Sequence, residues 1–159
     1  MFGFFKKSFK LIAPIDGKIL DISEVPDQVF AQKMAGDGVA IDTTGDTVVA
    51  PADGNLSMIF KTNHAFGITL SNGAEILVHI GLDTVALEGA GFERIAQEGQ
   101  DVKAGDVIIK LNRDEIISKG YSLLTPVLIT NPDNFKEIEM NIGAQVKAGQ
   151  DEVLTYKAK

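Results

Sequence analysis

Short apolar runs separated by turn residues follow one another along the whole chain. Pro, Gly, Asn and Asp recur between these runs at intervals of about 8–12 residues, a spacing typical of an all-β sandwich or barrel. The sequence therefore predicts an all-β, antiparallel fold. The predicted strands are residues 18–22, 38–42, 47–50, 54–62, 66–70, 74–80, 107–111, 125–129 and 152–156.

Helical patterning is sparse by comparison. No linker divides the chain, so residues 11–159 are expected to form one domain, a length that suits a single core. Short helical turns, none of them long enough to carry the fold, are predicted at residues 28–34, 91–98, 113–119 and 134–139.

Two turn motifs each occur twice. The sequence APIDG at residues 13–17 returns as APADG at residues 50–54, and VKAG at residues 102–105 returns at residues 146–149. Pro and Gly fix a bend in these motifs, and Asp caps it. The repetition predicts a sheet architecture with approximate internal duplication.

The only two histidines of the chain, His64 and His79, flank an Asn72-Gly73 pair. Asn-Gly is the strongest short-range signal of a two-residue hairpin turn, and this turn would pair Phe66 with His79. Since side chains alternate along a strand, the two imidazoles would then share one face as diagonal neighbours. A three-residue loop would instead place them on opposite faces.

The predicted register also assigns the other hairpin side chains to faces. If the Ile/Val face points to the core, the histidines lie in an apolar surface patch suited to a partner. The histidine face would carry Phe66, Ile68, Leu70, Leu77 and Glu75, and the opposite face Ile76, Val78, Ile80, Ala65, Gly67 and Thr69.

Composition narrows the classes of function. The 159-residue chain has a formal net charge of -7 and a pI of about 4.8, which argues against nucleic-acid binding and favours a basic partner. The absence of cysteine excludes disulfides, thiol catalysis and cysteine-based zinc sites. No apolar run approaches the length of a membrane span and no secretory signal is recognisable, so a cytoplasmic location is expected.

Residues 1–10, MFGFFKKSFK, differ from the rest of the chain. On a helical wheel this segment is cationic and amphipathic, like helices that lie on anionic lipid. Two interpretations stay open: contact with a membrane surface, or a frayed terminus whose phenylalanines dock on the domain. The two faces are Phe2, Phe5 and Phe9 on one side and Lys6, Lys7 and Lys10 on the other.

Two adjacent imidazoles allow three interpretations. They could bind zinc, with a carboxylate such as Asp83 as third ligand. They could transfer a phosphoryl group, with one neutral imidazole as nucleophile and the other holding the phosphate oxygens. They could also be partly buried histidines satisfied by hydrogen bonds, one of them to Thr62.

The stretches KTNHAFG at residues 61–67 and LVHIGLDTV at residues 77–85 resemble the two histidine blocks of the glucose-family enzyme IIA. This family is the phosphocarrier of the bacterial phosphoenolpyruvate-dependent sugar phosphotransferase system. The resemblance implies a β-sandwich with a duplicated hybrid motif, in agreement with the repeated turns. It extends from Leu11 to nearly the C-terminus through APIDGKI, VPDQVFAQKMAGDGVAI, APADG, GFERIAQEGQDVKAGD and LTPVLITN.

The resemblance implies unequal roles for the two histidines. His79 matches the residue that is phosphorylated on Nε2, and His64 matches the partner imidazole that helps to hold the phosphoryl group and pass it on. Thr62 matches the threonine that orients this partner, and Gly81 the glycine whose backbone fixes the tautomer of the active histidine. The nucleophile must be neutral imidazole, which an unperturbed pKa of about 6.5 allows in the cytoplasm.

Acidic and apolar residues around the histidines are implied to bind partners. Asp27 and Asp83 match two acidic residues at the rim, and Glu75 matches an interface acid. Carboxylates beside a phosphate make sense when the incoming partner brings arginine or lysine. The implied apolar ring is Val29, Phe30, Met34, Phe60, Leu77 and Val85.

The implied donor is the histidine-containing phosphocarrier protein, and the implied acceptor is a cysteine on the enzyme IIB domain of a sugar permease. No metal or organic cofactor is implied, although His64 and His79 could bind zinc adventitiously or at a partner interface. The main rival is a zinc-dependent hydrolase on a related β scaffold, whose His-x-His pair is missing from VHIG at residues 78–81. A regulatory binding module is a further alternative. The Met1 start and the lysine-rich end suggest a free-standing protein.

Overall fold

The computed structural model describes residues 8–159, which form three sheets with short helical connections. All neighbouring strands are antiparallel, so the predicted fold class is confirmed. The strands are β1 Ser8–Ile12, β2 Gly17–Asp21, β3 Asp37–Thr43, β4 Thr47–Val49, β5 Gly54–Ile59, β6 Ala65–Thr69, β7 Glu75–His79, β8 Phe92–Arg94, β9 Asp101–Val102, β10 Val107–Leu111, β11 Thr125–Ile129, β12 Phe135–Met140, β13 Gln145–Val146 and β14 Glu152–Ala158.

The largest sheet has the strand order β13-β2-β3-β11-β7-β6-β5-β9 and carries both histidine segments. The two smaller sheets are β4-β10-β8 and β1-β14-β12. One hydrophobic core joins all three sheets, because Phe66 of β6, Ile109 of β10 and Tyr156 of β14 are fully buried in the same cluster. The sheets therefore enclose a shared apolar interior, as a sandwich requires.

The helices begin at side chains that cap their first turns. Asp27 accepts a hydrogen bond from the backbone N–H of Val29 at the start of α1, Gln28–Ala31. Asn112 does the same for Glu115 at the start of α2, Arg113–Ser118. Both helices lie within segments predicted as helical, and both are shorter than predicted because only the first turn is capped and packed. The 3₁₀ turns are Ile22–Glu24, Thr84–Leu87 and Pro132–Asn134.

Two other helical predictions are wrong. Residues 91–98 contain β8, in which Phe92 is buried. Residues 134–139 contain most of β12, in which Phe135 packs edge-to-face against Tyr156 with ring centroids 5.1 Å apart. Pairing with a neighbouring strand and burial of the phenylalanine outweigh the local pattern in both segments.

The repeated turns bind each other in two equivalent pairs, which confirms the predicted duplication. Asp16 Oδ1 accepts a hydrogen bond of 2.7 Å from Ala148 N, and Asp53 Oδ1 accepts one of 2.8 Å from Ala104 N. The Asp of each Pro-containing turn therefore holds the neighbouring VKAG turn. A second bond of 2.9 Å repeats in the same way, from Gly149 N to Ala13 O and from Gly105 N to Ala50 O.

The predicted register of the β6–β7 hairpin is wrong by one residue. Ala65, not Phe66, pairs with His79, and Phe66 pairs with Val78. This register buries Phe66 and Val78 together in the core, so it satisfies the hydrophobic pattern better than the predicted one. One face now carries Phe66, Ile68, Ile76 and Val78, and the other Ala65, Gly67, Thr69, Glu75, Leu77 and His79.

The register shift comes from a three-residue loop at residues 71–73. Leu70 N donates to Ala74 O over 2.9 Å, and Gly73 N donates to Leu70 O over 3.0 Å. Gly73 has a φ of 90°, and Asn72 Oδ1 accepts from Ala74 N. Both hairpin types use Gly with a positive φ at this place, so the Asn-Gly pair alone does not distinguish them.

Part of the predicted membrane segment lies outside the described residues. Residues 8–10 belong to β1, where Phe9 packs on Tyr156 with ring centroids 5.4 Å apart. The helical-wheel interpretation is therefore wrong for residues 8–10, and membrane contact by residues 1–7 stays a prediction. Within residues 8–159, no helix is long and apolar enough to cross a membrane.

Candidate functional site

His64 and His79 meet at the open end of the β6–β7 hairpin. Their ring centroids are 5.0 Å apart, with the planes at 81°. His79 is the last residue of β7, and His64 precedes the first residue of β6. Since His64 lies outside the strand and follows Asn63 at a φ of 60°, strand alternation does not set its direction. The predicted contact is thus present despite the wrong register.

His79 has a defined tautomer. Its Nδ1 lies 2.8 Å from the backbone carbonyl oxygen of Gly81. A carbonyl oxygen can only accept a hydrogen bond, so Nδ1 must carry the proton. In the neutral ring, the lone pair is then on Nε2. Gly81 forms this turn at a φ of 81°, a conformation that L side chains rarely adopt.

His64 is held differently. Its Nδ1 lies 2.5 Å from the hydroxyl oxygen of Thr62, which can donate or accept. Its ring meets Phe60 edge-to-face, with centroids 5.2 Å apart, and the residue is only 3% exposed. His64 is therefore a buried imidazole whose hydrogen bond does not by itself decide the tautomer.

Both imidazoles are neutral near pH 7. Burial, and next the charge of His79, lower the pKa of His64 from 6.5 to about 4. Burial also lowers the pKa of His79, against the opposing effects of the hydrogen bond to Gly81 and the charges of Asp27 and Asp83. The site therefore presents His79 with an available lone pair instead of an imidazolium.

The segment around His64 is tied to residues for which the sequence indicated no role. Arg94 Nε donates to Asn63 Oδ1 over 2.8 Å, and its Nη2 donates to Phe60 O over 3.1 Å. Glu98 accepts from the backbone N–H of Ile59 over 2.9 Å. These contacts join positions about 30–40 residues apart, so no local pattern could have revealed them.

Some residues of the implied apolar ring pack near the two histidines, and others are exposed to solvent. Phe30 is buried, with its ring centroid 5.0 Å from that of His79. Leu77 packs against the small hydrophobic cluster that contains Phe30. Phe60 covers His64, as described above. The exposed members, with 47%, 70% and 54% of their area accessible, are Val29, Met34 and Val85.

The three acidic residues that the resemblance implied to bind partners lie at different distances from His79. Asp27 and Asp83 are close enough for their charges to raise the pKa of His79, so they flank the ring. Glu75 lies on the same face of β7 but at its other end, four residues and about 13 Å away. The structure therefore brings Asp27 and Asp83 to the histidines and leaves Glu75 further along the same surface.

The zinc interpretation lacks a third ligand. No group of three or more His, Cys, Asp or Glu side chains placed to hold a metal occurs among residues 8–159. Asp83 and the two histidines therefore do not form such a group.

Comparison with known proteins gives the decisive assignment. A sequence model of the phosphoenolpyruvate-dependent sugar phosphotransferase system EIIA 1 family matches residues 9–135, most of the chain. The chain belongs to this family. It is therefore a component of a sugar phosphotransferase system, as the resemblance implied, and the hydrolase alternative gains no support.

Individual EIIA relatives are similar over nearly the whole chain. The glucose-specific EIIA component of Bacillus cereus is 47% identical over 149 residues, covering 94% of this chain and 90% of the relative. The N-acetylglucosamine-specific EIICBA component of Klebsiella pneumoniae is 44% identical, covering 94% of this chain and 23% of the relative. The solved glucose permease IIA from Mycoplasma capricolum superposes with a TM-score of 0.88 at 41% identity, covering 96% and 97% of the two chains.

Proposed function

We propose that this EIIA protein accepts a phosphoryl group on Nε2 of His79 and passes it on during sugar uptake. The observation that carries the proposal is the hydrogen bond from His79 Nδ1 to Gly81 O. It leaves the Nε2 lone pair free beside a second neutral imidazole. The proposed donor is the histidine-containing phosphocarrier protein, and the proposed acceptor is a cysteine of an enzyme IIB domain.

The transfer needs no redox change and no proton on the attacking atom. The Nε2 lone pair of His79 forms the new N–P bond while the bond from phosphorus to the donor's histidine breaks. Because Nδ1 keeps its proton, the product ring carries a positive charge. Gly81 O, Asp27 and Asp83 favour the positively charged form of His79, so they stabilise this product.

His64 is proposed to hold the phosphoryl oxygens. When Thr62 donates to Nδ1, the neutral His64 ring carries its proton on Nε2 and can donate a hydrogen bond to the phosphate. Phosphoryl transfer depends mostly on in-line placement and charge stabilisation, which a fixed donor supplies. We expect the hydrogen bond from His64 to the phosphoryl oxygens to persist in the transition state of onward transfer, so His64 serves that step as well as storage.

The surface around His79 suits basic partners. Val29, Met34 and Val85 expose apolar area to solvent. Asp27 and Asp83 add negative charge close to the His79 ring. A partner that carries arginine or lysine beside its reactive residue would be attracted and aligned. The Klebsiella relative, named as an EIICBA component, supports an enzyme IIB unit as the acceptor.

Intact-mass measurement tests the assignment. The wild type, His79→Gln and His64→Gln are each incubated with the phosphorylated donor. The wild type and His64→Gln are expected to gain the mass of one phosphoryl group, and His79→Gln none. A phosphoryl gain by His79→Gln would show that His79 is not the acceptor.

Peripheral membrane contact through the N-terminus needs a separate test. Deletion of residues 1–7 removes most of the cationic segment and leaves β1 intact. We expect the full chain to float with anionic liposomes more than the deletion variant does. Equal flotation of the two would contradict the prediction.

A further inference from the structure

The turn that follows His79 is fixed by hydrogen bonds to its consecutive peptide groups. Ile80 N donates to His64 O over 2.6 Å, which ties the two histidine segments together. The Ile80 carbonyl accepts from the Thr84 hydroxyl over 2.6 Å. Leu82 N donates to Ser122 O over 3.1 Å. Each peptide group between His79 and Leu82 therefore has a fixed partner.

These hydrogen bonds fix the direction of the Gly81 carbonyl. In a planar trans peptide, the C=O of Gly81 points away from the N–H of Leu82. Ser122 O holds that N–H on one side, so the carbonyl points to the other side, where His79 Nδ1 lies 2.8 Å away. The orientation of this carbonyl also depends on the preceding peptide, between Ile80 and Gly81, and Thr84 is the residue that holds it.

Thr84 contacts both residues of this turn. It is 0% exposed, and its hydroxyl binds Ile80 O within the turn Thr84–Leu87. Its methyl carbon would lie 2.6 Å from a Cβ added at Gly81, so it packs closely against that residue. The hydroxyl and the methyl group together limit how the chain can run after His79.

We propose that Thr84 is a positioning residue for His79: its hydroxyl fixes the Ile80 carbonyl so that the Gly81 carbonyl meets His79 Nδ1 and the Nε2 lone pair stays free. Without the hydroxyl, the buried Ile80 carbonyl loses its partner and the peptide rotates towards another donor. Gly81 has no Cβ to resist this rotation. The proposed effect of Thr84 on phosphoryl transfer rests on the function proposed above. Its effect on the tautomer of His79 does not.

Paired substitutions separate the hydroxyl from packing. Thr84→Val keeps the shape and removes the hydroxyl, while Thr84→Ser keeps the hydroxyl. Thr125→Val is a matched control, since Thr125 is also a buried threonine whose hydroxyl donates to a backbone carbonyl, that of Leu123. Long-range ¹H–¹⁵N spectra of the unphosphorylated proteins at about pH 8, where neutral imidazole dominates, report the tautomer of His79 directly.

We expect the wild type, Thr84→Ser and Thr125→Val to show His79 protonated on Nδ1. Thr84→Val should show a clear fraction of the Nε2–H form. Its rate of phosphoryl acceptance should fall about tenfold, which corresponds to about 1.4 kcal/mol and lies near the upper end of the range for one hydrogen bond. Folded Thr84→Val with an unchanged His79 tautomer would overturn the proposal.

The remaining outcomes are also decisive. If Thr84→Val does not fold, Thr84→Ala replaces it, because it also removes the hydroxyl that binds Ile80 O. A gain of the Nε2–H form in Thr84→Ala supports the proposal, and an unchanged His79 tautomer overturns it. The two proposals can also fail separately. If the wild type accepts no phosphoryl group, the proposed function is rejected. A tautomer shift in Thr84→Val would still support the positioning role of Thr84.

Discussion

His79 and His64 touch through their rings but are held by different kinds of hydrogen-bond partner. His79 donates to the backbone carbonyl of Gly81, which can only accept, whereas His64 bonds to the hydroxyl of Thr62, which can do both. His79 is partly exposed beside acids and apolar side chains, and His64 is 3% exposed. The difference indicates that the tautomer of His79 is fixed, whereas that of His64 can change.

Removing His64 should have the largest effect and separate its role from that of His79. We expect His64→Ala to accept the phosphoryl group but to pass it to the enzyme IIB domain about 1,000-fold more slowly, as for loss of one preorganised donor. Single-turnover transfer from the phosphorylated variant measures this. Onward transfer at the wild-type rate would show that His64 takes no part in passing on the phosphoryl group from His79.

The pH dependence of stability should follow the burial of His64. Its pKa is about 4 in the folded protein and 6.5 when unperturbed, so the unfolded chain binds more protons between these values. Stability is therefore fully present above about pH 6.5 and is lost as pH falls towards 4, by about 3 kcal/mol in total from this group.

Urea unfolding of the wild type and His64→Gln between about pH 7 and pH 4.5 measures that contribution. The carboxylates of the protein titrate in both variants, so the difference between the two curves isolates His64. We expect the loss of stability on acidification to be smaller in His64→Gln. Parallel curves would mean that His64 is not held neutral by burial.

Two glycine substitutions at opposite ends of the same hairpin test the role of the Gly81 carbonyl. At Gly81, with a φ of 81°, an added Cβ would lie 2.6 Å from the Thr84 methyl and 2.7 Å from Ser122 O. At Gly73, with a φ of 90°, an added Cβ has no atom of residues 8–159 within 4 Å apart from its chain neighbours. Both changes strain the backbone, but only Gly81→Ala displaces the partner of His79.

We expect Gly81→Ala to lower the rate of phosphoryl acceptance about 100-fold, the scale for a misplaced reacting group. Gly73→Ala should lose about 1 kcal/mol of stability and keep the wild-type rate. Rates with the phosphorylated donor and urea unfolding measure both effects. Equal rates for the two variants would show that the Gly81 turn has no special function.

The smallest expected effect concerns Thr62. Thr62→Val removes the only bond that the structure gives to Nδ1 of His64, and onward transfer should fall about fivefold, the equivalent of one hydrogen bond. Thr62→Ser keeps a hydroxyl and should stay near the wild-type rate. If both variants slow transfer equally, the methyl group of Thr62 matters and its hydroxyl does not.

The sequence predicted most strands and the contact between the two histidines. It did not predict the register of the hairpin that carries them. Short apolar runs between turn residues located most strands, and the repeated Asp-Gly turns correctly indicated duplication. The turn at Asn72-Gly73 was predicted, but its register depends on burying Phe66 against Val78, which only the assembled core decides. Family resemblance, not spacing, supplied the unequal roles of the rings.

Contacts from distant segments could not be predicted at all. Arg94 holds the Phe60–Asn63 corner, and Ser122 O directs the turn after His79, yet neither has a local signature. The mistaken helices at residues 91–98 and 134–139 have the same origin, since strand pairing with remote residues determines their conformation.

The central claim is that Nε2 of His79 carries the phosphoryl group, with Nδ1 still protonated towards Gly81. Long-range ¹H–¹⁵N spectra with phosphorus coupling, recorded on the ¹⁵N-histidine-labelled and phosphorylated protein, locate the phosphorus atom directly. We expect phosphorus coupling at Nε2 of His79 and an unmodified His64. Phosphorus on His64, or on Nδ1 of His79, would contradict it.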